Sequence, residues 1–416
     1  MSASPSIEDL LKKLSKANIF KDREKLRPDY LPENLPHRET QILRLAEILL
    51  SPIAKGARPS NVFIYGYTGT GKTAVTKHVL KWLERKWGYN NTATLETFLY
   101  NQSNIVRVIT AIVNCRTENT NYRILRALLG VLGVEVPFTG LSVAELYDRF
   151  INVLEKNEVL FVVALDEIDQ LIDKSGDELL YRLTRINSEL TRSKVTIIGI
   201  TNSLNLRDYL DPRVKSSLGE EELVFPPYNA FELEDILRER AELAFQPNVL
   251  DSGVISLCAS LAAREHGDAR RALDLLRVAG EIAERDGSTK VTEKYVKLAL
   301  KDIEKDKTVE VIKTLPLHSK LVLVSIYLLW KRGISASTGE VYEMYSKLVQ
   351  RMNLDSLTQR RISDVISELD MIGLVQARLM SKGRYGRTKY VTLSINEKAM
   401  IEGIKDDSRL SVLIQH

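Results

Sequence analysis

The chain has 416 residues, 44% apolar and 27% charged, with a net charge of +4; that is more than one ordinary core can use and reads as roughly two to four globular domains. Its longest apolar run, LVLVSIYLLW (321–330), is about half of a bilayer span, and the N-terminus has acids and lysines where a signal peptide needs an unbroken apolar stretch. Cys115 and Cys258 sit in apolar stretches and the five histidines are scattered, which argues against a disulfide framework or a zinc centre and points to the cytoplasm with no membrane partner.

In chain order, residues 1–60 read as an arm with one helix. RPDYLPENLPHRE (27–39) is rich in proline and turn residues, and ETQILRLAEILL (39–50) has apolar residues at helical spacing. Alternation starts at residue 61. NVFIY (61–65) is a short apolar strand, TAVTKHVLKWLERKW (73–87) a helix and IVRVITAIVNC (105–115) a second strand. SVAELYDRFINVLEK (142–156) is a helix, VLFVVALDEID (159–169) a third strand, DELLYRLTRINSEL (177–190) a helix and KVTIIGITNS (194–203) a fourth strand. Apolar strands separated by helices specify a parallel sheet covered on both faces, an α/β core.

Beyond FPPYNAFE (225–232) the strands stop. Residues 231–303 carry helical patterns at 232–245, 254–267, 268–285 and 292–305, and KDIEKDKTVEVIK (301–313) reads as a helical or extended link. A third unit follows, with helices at 318–333, 337–353 and 357–373 and a hairpin, LVQARLM-SKGRYGR-TKYVTLSI (374–395). The expected domains are 1–230, an arm and nucleotide-binding core; 231–306, all helical; and 307–416, a helix–helix–hairpin module.

The clearest chemistry is Gly66-Tyr-Thr68-Gly69-Thr70-Gly71-Lys72-Thr73, which fits G-x-x-x-x-G-K-[ST]. Glycines let backbone N–H groups close on phosphate oxygens in front of a helix N-terminus. Lys72 then reaches the β- and γ-phosphates, and the Thr73 hydroxyl holds Mg²⁺. The expected ligands are ATP or ADP with Mg²⁺. Asp166 ends a strand and is the second metal-side residue; Glu167 follows it as the acid that polarises the attacking water. The alternative is that the two acids cap the next helix. Asn202 ends another strand and can orient that water. In HGDARRALDLLR, Asp268 can cap a helix whose first turn carries Arg270 toward the γ-phosphate. Arg213, in LDPRVKSSLG, has two open readings: an arginine finger acting on a neighbouring molecule's ATP, or an ordinary ion pair.

Together and in this order these motifs resemble the AAA+ ATPases. LPHRE, GYTGTGKT, LDEID, TNS, GDARRALDLLR, LPLHSKLVL and TGEVYEMY resemble more narrowly the archaeal origin-recognition (Orc/Cdc-type) replication initiators, over about residues 27–395. The resemblance implies an AAA+ core, a helical lid and a C-terminal winged helix. It adds Leu31, His37 and Arg38 as nucleotide-side candidates ahead of the phosphate loop. It also implies slow, switch-like ATPase activity, binding of double-stranded origin DNA, recruitment of the replicative helicase, other initiator subunits as partners, and a nucleoid-associated place in the cytoplasm.

The residues support a DNA-binding end independently. From residue 310 on there are 16 Lys and Arg against 11 Asp and Glu, whereas residues 1–309 hold 43 against 44. No acid lies between 371 and 396, where Arg378, Lys382, Arg384, Arg387 and Lys389 surround Tyr385 in a glycine-flanked hairpin tip suited to a minor groove. Thr358, Gln359, Arg360 and Arg361 open the helix expected to meet base edges. Initiator ATPases carry an extra helix after the second strand that touches DNA; Arg116, Arg123 and Arg126 are the candidates there, on a helix that also packs Ile124, Leu125, Leu128 and Leu129. Two competing readings are a signalling ATPase whose winged helix acts in transcription, and a clamp-loader-like motor, which needs no DNA-reading module.

Overall fold

The structure is a computed structural model that describes residues 18–87, 107–206, 210–334, 336–381, 387–407 and 409–410. The chain divides into two compact units, 1–296 and 297–416.

In the first unit, a 3-10 turn (Arg23–Leu26) precedes α1 (Glu39–Ala54). Then come β1 (Val62–Gly66), α2 (Lys72–Trp87), β2 (Arg107–Asn114), α3 (Asn121–Val131), α4 (Val143–Asn157) and β3 (Val159–Asp166). They are followed by α5 (Ile168–Ser175), α6 (Glu178–Arg185), β4 (Lys194–Thr201), α7 (Pro212–Leu218) and β5 (Glu221–Phe225). The sheet order is β2-β3-β4-β1-β5, and every pairing is parallel. β3 shows why its apolar run is unbroken: all eight residues are buried. Phe161, Val163 and Leu165 enter one core with α3 and α4, while Leu160, Val162 and Ala164 enter the other with α1 and α2. Burial of each of the valine, leucine and phenylalanine side chains among them contributes roughly 1.5–3 kcal/mol.

The fifth strand, β5, was not expected. Its five residues, EELVF, show only part of the alternation of a half-buried strand, and pairing with β1 along the sheet edge is what makes it one. α7 was likewise not foreseen; Asp211 caps it and Pro212 opens it.

Four helices complete the helical stretch: α8 (Ala230–Ala244), α9 (Val254–Arg264), α10 (Ala269–Arg285) and α11 (Glu293–Thr314). Asn229 and Glu232 form a capping box at α8, and Asp268 caps α10 by accepting from the N–H groups of Arg270 and Arg271. The link at 301–313 is helical, part of α11.

In the second unit, α12 (Leu317–Lys331), β6 (Ala336–Ser337), α13 (Thr338–Arg351) and α14 (Gln359–Met371) lead to the hairpin β7 (Val375–Ser381) and β8 (Arg387–Leu393), then α15 (Glu397–Ile404). The small sheet has order β6-β8-β7. Its two-residue β6 and the closing α15 were not in the sequence reading. Ser337 and Glu340 of the TGEVY stretch form a capping box. Helices and hairpin share one core around Tyr327, Tyr345, Ile362 and Ile366.

Both cysteines are buried and free, and burial pushes each thiol up to about 12. Among the described residues no cluster of His, Cys, Asp or Glu could hold a metal by itself, and no helix is long and apolar enough to cross a membrane.

Candidate functional site

The carboxyl ends of β1, β3 and β4 open onto a cavity of about 390 Å³, the place where open parallel sheets bind ligands. Ten of the sequence candidates line it: Leu31, Gly69, Thr70, Gly71, Lys72, Thr73, Asp166, Glu167, Asn202 and Arg270. The structure therefore brings together residues up to 239 positions apart in sequence.

The loop's shape depends on two glycines. Gly69 has φ +68°, and a Cβ there would collide with the Asp268 carboxylate; Gly71 has φ +92°, and its Cβ would stand 2.8 Å from the Tyr228 hydroxyl. Gly66 and Thr68 do not line the cavity. Gly66 lies against Phe225 of β5, and Thr68 donates from Oγ1 to Asp268 at 3.3 Å. Ala269 N also donates to Gly69 O at 3.2 Å, so the N-terminus of α10 is tied directly to the loop.

Lys72 is only 5% exposed. Its ammonium donates to Gly66 O at 2.8 Å and Tyr67 O at 2.6 Å. Burial lowers its pKa to about 8; Asp166 opposes the shift and Arg270 adds to it. Two cations, Lys72 and Arg270, thus act on one another at the cavity, which favours an anionic ligand. Thr73 donates from Oγ1 to Asp166 Oδ2 at 2.9 Å. A hydroxyl beside a buried carboxylate at the foot of a phosphate loop is a donor set that fits Mg²⁺. Glu167 follows with φ +56°, a left-handed turn that ends the strand. Beside Asn202, Thr201 donates to Asp169 at 2.8 Å and accepts from Ser203 N.

Arg38 and His37 lie behind the loop rather than on the cavity wall. Arg38 is 2% exposed. It donates to Thr70 O (2.8 Å), His37 O (2.8 Å) and Pro226 O (2.7 Å), and its guanidinium stands 3.6 Å from the Tyr228 ring centroid. Desolvation lowers its pKa. His37, at φ +62°, turns the chain there and meets Asp235 at 2.9 Å. Arg213 is also off the cavity. It binds Asp211 through two hydrogen bonds of 3.0 Å and stands over Tyr181; Asp211 raises its pKa.

Asn114, Tyr228 and Arg240 are among the lining residues that were not candidates. Asn114 ends β2 in register with Asp166, and a polar residue closing an apolar strand was the available signal. Tyr228 and Arg240 had none, because their neighbours are distant in sequence.

Of the DNA-side candidates, Thr358 caps α14, and Gln359, Arg360 and Arg361 are exposed in its first turn, with Arg361 3.4 Å from Glu368. Arg378 is exposed on β7, and Lys389 donates to Ser367 at 2.6 Å. Lys382, Arg384 and Tyr385 lie outside the described residues; Arg387 begins β8. On α3, Ile124, Leu125, Leu128 and Leu129 are fully buried, Arg123 is exposed, as is Arg116 in the turn ahead of the helix, and Arg126 stands 4.0 Å from the ring centroid of Phe138, itself 80% exposed.

Among known families, residues 34–198 match the AAA ATPase domain, residues 234–301 the Cdc6 AAA+ ATPase-type lid domain and residues 310–403 the CDC6 C terminal winged helix domain. The chain is similar to ORC1-type DNA replication protein 1 of Sulfurisphaera tokodaii, 53% identical over 412 residues covering 99% of each chain. It is also similar to the protein of that name from Sulfolobus acidocaldarius, 52% identical over 411 residues covering 99% of each. Of solved structures it resembles the Aeropyrum pernix ORC1 protein in complex with DNA, 50% identical, covering 96% of this chain and 100% of that one, with a TM-score of 0.79.

Proposed function

The chain belongs to the ORC1-type DNA replication proteins, and from that membership we propose an initiator that binds double-stranded origin DNA, uses ATP and ADP as two states of a switch, and helps recruit the replicative helicase. The observation that carries the nucleotide half is the single cavity where Lys72, the Thr73–Asp166 pair, Glu167, Asn202 and Arg270 meet.

The loop N–H groups and Lys72 bind the phosphates; the orphan N–H groups at the start of α2 add to their field. Thr73 and Asp166 would hold Mg²⁺, which when bound neutralises charge on the phosphate oxygens. Glu167 accepts the proton of the attacking water and Asn202 orients it. Arg270, on the first turn of α10, touches the γ-phosphate, so loss of that phosphate weakens the tie between lid and loop. Such a site suits slow hydrolysis that resets a switch. Arg213 stays a candidate for action on a second molecule's nucleotide.

The DNA half is supported by the likeness to the DNA-bound Aeropyrum pernix protein and by the exposed basic first turn of α14. Phosphate contacts from the hairpin give affinity, and base contacts from α14 give preference. A genome-wide map of the DNA that the protein protects tests the function. Protection at replication origins is expected; protection confined to promoters would favour the transcriptional alternative, and no preferred sites would sink both.

A further inference from the structure

LPLHSKLVL and TGEVYEMY meet inside the second unit. His318 is the second residue of α12, and Tyr345 lies on α13 with its side chain fully buried. His318 Nδ1 stands 2.7 Å from the Tyr345 hydroxyl, and the ring centroids are 6.1 Å apart. The ring of Tyr342 stacks on Tyr345 at 6.5 Å. The same hydroxyl accepts a hydrogen bond from Leu357 N at 3.3 Å. Leu357 immediately precedes Thr358, the cap of α14.

A phenol has one proton to give and lone pairs to receive. Leu357 N–H can only donate, so the hydroxyl accepts there and its own proton goes to His318 Nδ1. That fixes the histidine as the tautomer with its proton on Nε2. Burial raises the Tyr345 pKa, which keeps the hydroxyl protonated. The result is a directed chain from Leu357 N–H through Tyr345 to His318, linking α12, α13 and the entry of α14.

The loop it holds has few other ties. α13 closes through Met352 N and Leu354 N, which donate to Val349 O at 3.1 Å, with Asn353 turned to φ +52°. From there to the cap at Thr358, among the described residues, Leu357 N makes the hydrogen bond that reaches another element. Leu354 and Leu357 also pack on the core. Apolar contact is non-directional and leaves the peptide plane free to turn, whereas a hydrogen bond to the amide fixes that plane. The plane before a cap sets how the first turn of the helix is presented, and here that turn exposes Gln359, Arg360 and Arg361.

We propose that Tyr345, with His318 behind it, is a positioning residue for base reading: its hydroxyl holds the start of α14 so that Gln359, Arg360 and Arg361 meet base edges in one register. This rests on the DNA reading of α14. Bidentate contacts to bases need close placement, while contacts to phosphates tolerate more. Loss of the anchor therefore costs preference before it costs affinity.

The test uses the full chain and two duplexes, one carrying a site protected in the genome-wide map and one with that site scrambled. Tyr345→Phe removes the hydroxyl and keeps the buried ring. Affinity for the protected site should fall about tenfold, affinity for the scrambled duplex should stay within about twofold, and the salt dependence should not change. Hydrogen exchange at the Leu357 and Arg361 amides should quicken about tenfold, with α12 exchanging as in wild type. His318→Ala should show the same split at about threefold, and it carries the test if Tyr345→Phe does not fold. His318→Asn, whose Oδ1 can accept where Nδ1 did, should recover most of that loss; Asn no better than Ala would overturn the part assigned to His318. Equal losses on both duplexes would mean that the hydroxyl only supports the fold. Wild-type preference in both Tyr345→Phe and His318→Ala, or lost preference with wild-type exchange at 357–361, would likewise overturn the proposal. A wild-type chain that binds both duplexes equally overturns base reading by α14 itself, and the proposal with it.

Discussion

Raising pH should weaken nucleotide binding and relieve the free fold, both through Lys72. The ammonium is buried against two loop carbonyls, and desolvation holds its pKa at about 8 instead of 10.5. Bound phosphates favour the charged form, so the bound pKa lies above the free one. Binding is then undiminished below about pH 8 and is lost as pH rises past it. The charged share of the free protein is about ten in eleven at pH 7 and about one in eleven at pH 9, so ATP affinity should drop about tenfold between them. Folding has the opposite sign. The folded pKa is below the unfolded one, so the charged lysine opposes folding fully below pH 8, and that cost fades between about 8 and 10.5. The shift corresponds to about 3 kcal/mol as an upper figure. Without nucleotide, Lys72→Met should accordingly be more stable than wild type at pH 7, with the difference shrinking above pH 8. Tyr228 and Cys115, pushed up to about 12, do not titrate in this window. The assay is ATP titration at constant ionic strength from pH 7 to about 9.5, with calorimetry in two buffers to count the proton taken up. Lys72→Arg cannot titrate here and should lose the slope. Affinity that stays flat in the wild type, or an equal decline in Lys72→Arg, would refute the reasoning.

Three further outcomes are expected. Glu167→Gln should bind ATP within about twofold of wild type yet hydrolyse it at least about a hundredfold more slowly, because the base is gone and the Thr73–Asp166 pair remains; unchanged turnover would falsify that role. Arg270→Ala should retain ATP but lose normal hydrolysis and the difference in scattering profile between an ATP analogue and ADP, and a mutant profile change equal to wild type would reduce Arg270 to a surface charge. On DNA, Arg384→Ala and Arg387→Ala should weaken origin and random duplexes alike with a shallower salt dependence, whereas at least one of Arg360→Ala and Arg361→Ala should lose about 1–3 kcal/mol selectively on origin DNA; four mutants that bind both duplexes like wild type would remove the DNA role from this end.

The sequence by itself determined whatever is local or periodic. The loop glycines, the acids closing β3, Asn202 after β4 and the Asp268 cap of α10 are each read from a few adjacent residues, and unbroken apolar runs announce a sheet buried on both faces. Tertiary structure decided what depends on a distant neighbour. EELVF becomes β5 only because β1 offers it an edge, and the two residues of β6 only because β8 does. Arg38 in LPHRE looks like a residue for the ligand until the fold brings it Pro226 O, 188 positions away. Arg240 looks like one more helical arginine until Arg27 O and Tyr30 O arrive, 213 and 210 positions off. A guanidinium has no periodicity of its own; its role is set by which carbonyls, rings and carboxylates the folded chain places within hydrogen-bond reach.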